Sequence, residues 1–290
     1  MGGSQMRSNG TGGKKRVAYL TNMLLDWETG RPRYGGGESY CITLGRLLRD
    51  LGFEVTFFQA GNRAFEGDYY GFRVIAIPHG DFVSEFQVGI CNVFYHLTRE
   101  YDHVIYNIPT YASGLLRDDA LVICHSVWFD HDNYIPPIEF RTPEWFEQLY
   151  RAFSRPRRIV SVDTNVINVI RALWPELTAR MTFIPSYVDT DLFSPPERRE
   201  KDRTTVLFPR RAEYTRGSRL LEPILQRVPH ECRFLWVGEG EPEETERIKA
   251  LRERDSRLEF FAASFEQMPG FYREADICVI PAVASEGTCL

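Results

Sequence analysis

The sequence predicts an α/β protein built as two parallel-sheet domains in tandem. Three observations carry that prediction. Short apolar runs of strand length alternate with amphipathic stretches of helix length. The alternation stops at a charged stretch that follows a proline pair, residues 196–204, and then restarts. The chain has 290 residues, 43% of them hydrophobic and 26% charged, enough for one large core or two ordinary ones.

Taken in order, residues 1–15, "MGGSQMRSNGTGGKK", are small and polar, without an apolar stretch for a signal peptide or a membrane span, and predict a disordered leader. Met6 stands where a myristoylation signal wants Ser or Thr. The first domain is expected over 16–195. "RVAYLTNML" reads as its first strand, "SYCITLGRLLRDLG" as a helix stopped by Gly52, and "FEVTFFQAG" as a second strand parallel to the first. "RVIAIP", "HVIYNIP", "ALVICHS" and "RIVSVD" supply further strands, the last followed by the helical "TNVINVIRALWPEL". After the linker, 196–204, a second unit over 205–290 repeats the pattern. Its strands are "TTVLFPRR", "CRFLWVGEG", "RLEFFAA" and "DICVIPAVA", and its helices are "GSRLLEPILQRV", "PEETERIKALRER" and "SFEQMPGFYREA".

The net charge of −5 argues against attraction of the whole protein to nucleic acid. No basic amphipathic helix stands out, although "YRAFSRPRR" is a local basic stretch that leaves room for membrane contact. Cys41, Cys91, Cys124, Cys232, Cys278 and Cys289 form no C-x-x-C pair and mostly sit in apolar runs, which fits buried, reduced thiols in a cytoplasmic protein.

Four stretches could carry chemistry. In "RYGGGESY", Gly35, Gly36 and Gly37 lie between a strand and a helix, where bare backbone and a helix start suit a phosphate. This is neither a dinucleotide fingerprint nor a P-loop. In "VICHSVWFDHDNY", His125 ends a strand, and Asp130 and His131 follow in one loop; their spacing matches no standard metal-ligand set. In "FPRRAEYTRGS", Arg210, Arg211 and Arg216 follow a strand and could fork onto phosphate oxygens. In "SEGTCL", Glu286 and Gly287 follow the last strand, where a carboxylate could accept hydrogen bonds from ligand hydroxyls. The plain alternatives are a flexible turn, a structural histidine, a solvated basic loop and a chance dipeptide.

In this order the stretches resemble the retaining nucleotide-sugar glycosyltransferases of GT-B fold. That family's G-G-x-E loop is matched by Gly35, Gly36, Gly37 and Glu38, and its strand-end histidine by His125. Its I-P-N-G-V-D-x-x-x-F-x-P strand is followed by "IPSYVDTDLFSPP", and its G-R-x-x-x-x-K-G by "RRAEYTRG", with Arg211, Arg216 and Gly217 aligned. "WVGEG", with Gly238, resembles V-G-x-G, and "IPAVASEGTCL" resembles the segment that begins an E-x7-E motif. Ser186 and Tyr187 replace Asn-Gly, Arg210 replaces a glycine, and Cys289 replaces the second glycine of the last motif.

The resemblance implies two Rossmann-like domains with parallel sheets facing across a cleft, the second incomplete. It implies sugar transfer from a nucleoside-diphosphate sugar to a carbohydrate, lipid or small-molecule acceptor, with retained configuration, no metal and no cofactor. Arg211 and Arg216 would hold the diphosphate and stabilise its departure, and His125 would lie beside the reacting carbon. Gly35, Gly36, Gly37, Gly238, Glu286 and Gly287 would contact the donor, with Glu38, Asp130 and His131 on the acceptor side. The second glutamate of E-x7-E would fall at about position 294, past Leu290, so the expectation is a truncated donor domain of uncertain activity. A non-catalytic remnant that binds a sugar, nucleotide or partner protein, and a sugar-nucleotide epimerase relative, stay open at this point.

Overall fold

The computed structural model describes residues 13–33, 35–78, 87–126, 142–196, 202–228 and 231–283. These residues form two mostly parallel sheets with helices between their strands, as the alternation predicts.

The first sheet holds β1 (Arg16–Leu20), β2 (Glu54–Gly61), β3 (Phe65–Tyr69), β4 (Phe72–Pro78), β5 (His103–Tyr106), β6 (Leu121–Cys124), β7 (Arg158–Ser161) and β8 (Met181–Phe183). Its order is β3-β4-β2-β1-β5-β6-β7-β8. β1 pairs in parallel with both β2 and β5, so Val17 to Leu20 are buried, as a central parallel strand covered on both faces requires. Helix α1 (Gly36–Asp50) makes the crossover from β1 to β2 and is stopped at Gly52, whose φ of +90° suits glycine. Inside α1, Gly45 lies against the sheet; a Cβ there would meet the Phe57 ring at 3.0 Å. Helices α2 (Val88–Leu97), α3 (Pro143–Ser154) and α4 (Thr164–Leu173) precede β5, β7 and β8. The chain order reverses at β1, with β2 on one side and β5 on the other. In sheets of this kind a binding crevice opens at the carboxyl end of that reversal.

Strand β3 has no counterpart in the sequence prediction and runs antiparallel to β4. The turn between them is Tyr70–Gly71, with φ of 53° and 78°, the mirror-image geometry that suits a hairpin. Asp68 Oδ1 steadies it by accepting from the Gly71 N–H at 3.0 Å.

The second sheet holds β9 (Thr205–Phe208), β10 (Arg233–Val237), β11 (Leu258–Phe261) and β12 (Ile277–Cys278), in the order β11-β10-β9-β12, all parallel. The order again reverses, now at β9. Helices α5 (Leu221–Arg227), α6 (Pro242–Arg254) and α7 (Met268–Glu274) connect the strands. Alternate strand residues feed two apolar layers: Val206, Phe208, Phe234 and Trp236 pack with Leu221 and Ile248, while Leu207, Leu235 and Val237 face the other way. Phe208 stacks on Trp236 with ring centroids 5.5 Å apart. The run "ICVIPAVA" gives only a two-residue strand. The Val279 N–H still donates to the Leu207 carbonyl at 2.8 Å, but Pro281 has no N–H to extend the ladder.

Among the described residues, no helix is long and apolar enough to cross a membrane. Cys41, Cys91 and Cys124 are buried free thiols, Cys232 is half-buried, and Cys278 is exposed on the short edge strand.

Candidate functional site

At the carboxyl edge of the first sheet, β1 leads through residues 21–35 into α1. This connection is braced from below. The buried Gln59 accepts from the Leu24 and Leu25 N–H groups, both at 2.9 Å, and donates to the Leu25 carbonyl at 2.8 Å. The Tyr69 hydroxyl donates to the Arg33 carbonyl at 2.7 Å. At the reversal itself, the Tyr19 hydroxyl donates to Asn107 Oδ1 at 2.6 Å, and the Asn107 amide donates to Thr21 Oγ1 at 3.1 Å. Buried polar groups paired in this way fix one geometry.

The glycine run does not form the loop that the sequence suggests. Gly35 caps the helix, its carbonyl accepting from the Ser39 N–H at 2.9 Å, and Gly36 and Gly37 already lie in the first turn of α1. The Glu38 carboxylate turns back over its own helix start, where a Cβ on Gly35 would lie 2.6 Å from Oε2.

His125 directly follows β6 at the same edge of the sheet. Burial pushes its imidazole down to about 4, against the opposing influence of the Asp163 charge, so the ring is neutral at physiological pH. Asp163 follows β7 and caps α4, accepting from the Val166 N–H at 3.1 Å. Asp130, His131, Glu286 and Gly287 lie outside the described residues.

The second sheet presents a denser arrangement. The loop after β9, residues 209–217, meets the loops after β10 and β12 on the carboxyl edge where that sheet reverses. Glycines make these meetings possible. Gly238 has a φ of +137°, and a Cβ on it would lie 2.7 Å from the Arg210 carbonyl oxygen. A Cβ on Gly240 would lie 2.4 Å from the Ala212 oxygen, and the Glu241 N–H donates to that same carbonyl at 2.9 Å. Gly217, at φ +76°, brings its Cα so close to the last loop that a Cβ would lie 1.7 Å from the Pro281 oxygen. The Val283 N–H then donates to the Thr215 carbonyl at 3.0 Å.

The three arginines have different fates on this loop. Arg210 is buried at 6% exposure rather than displayed, and its backbone carbonyl is what the Gly238 turn lies against. Arg211 and Arg216 converge on one carboxylate that the sequence reading passed over: Arg211 Nε lies 3.2 Å from Glu213 Oε1, and Arg216 Nε donates to Glu213 Oε2 at 2.7 Å. The Glu213 side chain is only 9% exposed, whereas those of Arg211 and Arg216 are 49% and 28% exposed. Two guanidinium groups are therefore gathered at the surface over a buried acid.

A second buried acid anchors the same loop. Glu244, in the first turn of α6, accepts from the Ser218 hydroxyl at 2.6 Å and from Arg219 Nε at 2.7 Å. Burial raises its carboxyl, but these hydrogen bonds and the charges of Arg219 and Arg247 outweigh it and leave the group below the usual carboxylate range. Among the described residues, no cluster of three or more His, Cys, Asp or Glu side chains could hold a metal ion.

No protein-family model matches the sequence. A curated relative, D-inositol 3-phosphate glycosyltransferase of Xylanimonas cellulosilytica, is 24% identical over 315 residues, covering 92% of this chain and 75% of the relative. Among solved structures, sucrose-phosphate synthase from Thermosynechococcus elongatus superposes with a TM-score of 0.73 at 17% identity, covering 96% of this chain and 77% of that one. Anabaena HepE in complex with UDP-glucose superposes with a TM-score of 0.66 at 14% identity, covering 93% and 75%.

Proposed function

We propose that this chain, a glycosyltransferase of GT-B fold, moves a sugar from a nucleoside-diphosphate sugar to an acceptor hydroxyl. The observation that carries the reading is the pair Arg211 and Arg216, gathered at the carboxyl edge of a parallel sheet where glycines open the backbone. As the acceptor oxygen takes the anomeric carbon and the sugar–phosphate bond breaks, negative charge builds on the departing diphosphate, whose freed oxygen takes up the proton of the acceptor hydroxyl. Two fixed guanidinium groups meet that charge with little reorganisation, the largest kind of contribution in such reactions. The UDP-glucose bound to the Anabaena neighbour supports a donor of this class.

The finer parts of the reading rest on the resemblance to the GT-B glycosyltransferases. Arginines in the place where a divalent cation would otherwise neutralise phosphate favour a metal-independent reaction. His125, neutral at physiological pH, acts as a hydrogen-bonding group toward a sugar hydroxyl rather than as a cation. Gly35, Gly36 and Gly37 contribute bare backbone at a helix start, Gly238 a glycine turn at the donor edge, and Glu286 and Gly287 contacts to the sugar. Glu38, Asp130 and His131 belong to the acceptor side, and transfer proceeds with retention onto a carbohydrate, lipid or small molecule.

Calorimetric titration of the full chain with UDP- and ADP-sugars tests the reading. Arg211→Ala is expected to weaken the favoured donor about tenfold or more, and EDTA to leave the wild-type affinity unchanged. Undiminished donor affinity in Arg211→Ala sinks the site assignment, and loss of affinity in EDTA sinks metal independence.

A further inference from the structure

We propose that Glu213 is a positioning residue for the donor diphosphate, one buried carboxylate that sets the spacing and direction of both Arg211 and Arg216. The inference rests on the donor reading above and deepens it. Each oxygen of Glu213 takes one arginine, at 3.2 Å and 2.7 Å. Both contacts are made at Nε. The covalent shape of the guanidinium then directs its Nη1–Nη2 end away from the glutamate, the end that forks onto an oxyanion.

Glu213 is itself held rigidly. Its N–H donates to the Arg211 carbonyl at 2.9 Å, and its own carbonyl accepts from the Arg216 and Ser218 N–H groups at 3.1 and 3.3 Å. The short turn Tyr214–Arg216 and the left-handed Gly217 thus place both arginines relative to the acid between them. Without that acid, two like charges on flexible stems repel and scatter, and a ligand must order both on arrival. With it, most of the ordering is complete before the ligand arrives, which is how a preorganised site gains affinity.

A different role for the same contacts predicts the opposite sign. If Glu213 only neutralised the arginines, it would compete with phosphate, and removing its charge would tighten binding. The two roles separate in a comparison of diphosphate with monophosphate, because ordering the pair matters most where there is a second phosphate to grip.

The experiment is calorimetry on the full chain with UDP, UMP, ADP and AMP, for wild type, Glu213→Gln and Glu213→Asp. Calorimetric stoichiometry reports the folded fraction separately from affinity. Wild type is expected to prefer the diphosphate. Glu213→Gln should weaken diphosphate binding about tenfold while changing monophosphate binding about twofold or less, and Glu213→Asp, which keeps the charge on a shorter stem, should fall between. A diphosphate-to-monophosphate ratio unchanged in Glu213→Gln, or tighter diphosphate binding, overturns the inference and leaves the donor reading standing. If Glu213→Gln does not fold, the same ratio in Glu213→Asp decides, and an unchanged ratio overturns the inference. Wild type that binds neither UDP nor ADP overturns the donor reading itself, and this inference with it.

Discussion

Arg211 and Arg216 repel each other at the separation a shared diphosphate demands, and Glu213 resolves that conflict with two charge-assisted contacts. His125 shows the reverse situation, a single titratable ring kept uncharged by its surroundings. Burial lowers its folded value to about 4, against 6.5 for the free side chain, and the Asp163 charge only partly offsets this. The unfolded chain therefore binds the proton first as pH falls. Stability from this site is full above pH about 6.5 and drains away as pH drops through 4, by up to about 2 kcal/mol between pH 8 and pH 5. His125→Asn removes that slope. Denaturation midpoints at pH 8, 6.5 and 5 should diverge between the two proteins as pH falls, and parallel curves would show that the ring is not held neutral.

At the scale of elements, binding geometry here depends on loops that approach more closely than any side chain allows. Gly217 is the sharpest case, because a methyl group there would sit 1.7 Å from the Pro281 oxygen while the backbone keeps a φ of +76°. Gly217→Ala is expected to cost on the order of 2 kcal/mol or more and to weaken nucleoside-diphosphate binding, since the turn that carries Arg216 must shift. Thermal unfolding together with UDP titration checks this, and an alanine variant with wild-type melting and affinity refutes it. Long apolar runs such as "FEVTFFQAG" announce their strands, and a basic loop after a strand announces Arg211 and Arg216. β3 is not legible in the sequence because its evidence is a turn, Tyr70–Gly71, whose hairpin geometry depends on left-handed dihedrals. Glu213 is not legible because, in the basic loop "RRAEYTRG", the sequence does not tell that the one acid is buried between two arginines. Asp163 stands in the sequence at the end of the run "RIVSVD", but its closeness to His125 arises only when β6 and β7 come together in the sheet. The three glycines were legible as a helix start, yet two of them turned out to be inside the helix rather than before it.

At the scale of the whole molecule, the formal charge of −5 works against an anionic donor, while the site offers two guanidinium groups. The two effects act over different distances. The net charge repels from beyond a Debye length, about 10 Å at 0.1 M salt, and is screened first, whereas contacts between arginine and phosphate at hydrogen-bond range are screened much less. Raising NaCl from about 20 to about 200 mM should therefore screen the repulsion while leaving most of the attraction, and change the UDP dissociation constant by less than about threefold. A surface that bound through many exposed cations would lose far more over that window. Arg211→Ala tilts the balance: with half of the local attraction gone, the long-range repulsion weighs more, and the residual affinity should rise with salt more steeply than that of the wild type. Titrations of both proteins across the salt series decide the matter. A wild-type affinity that weakens tenfold, or an Arg211→Ala affinity that falls in parallel with it, would mean that the donor is held by a diffuse field rather than by the pair fixed over Glu213.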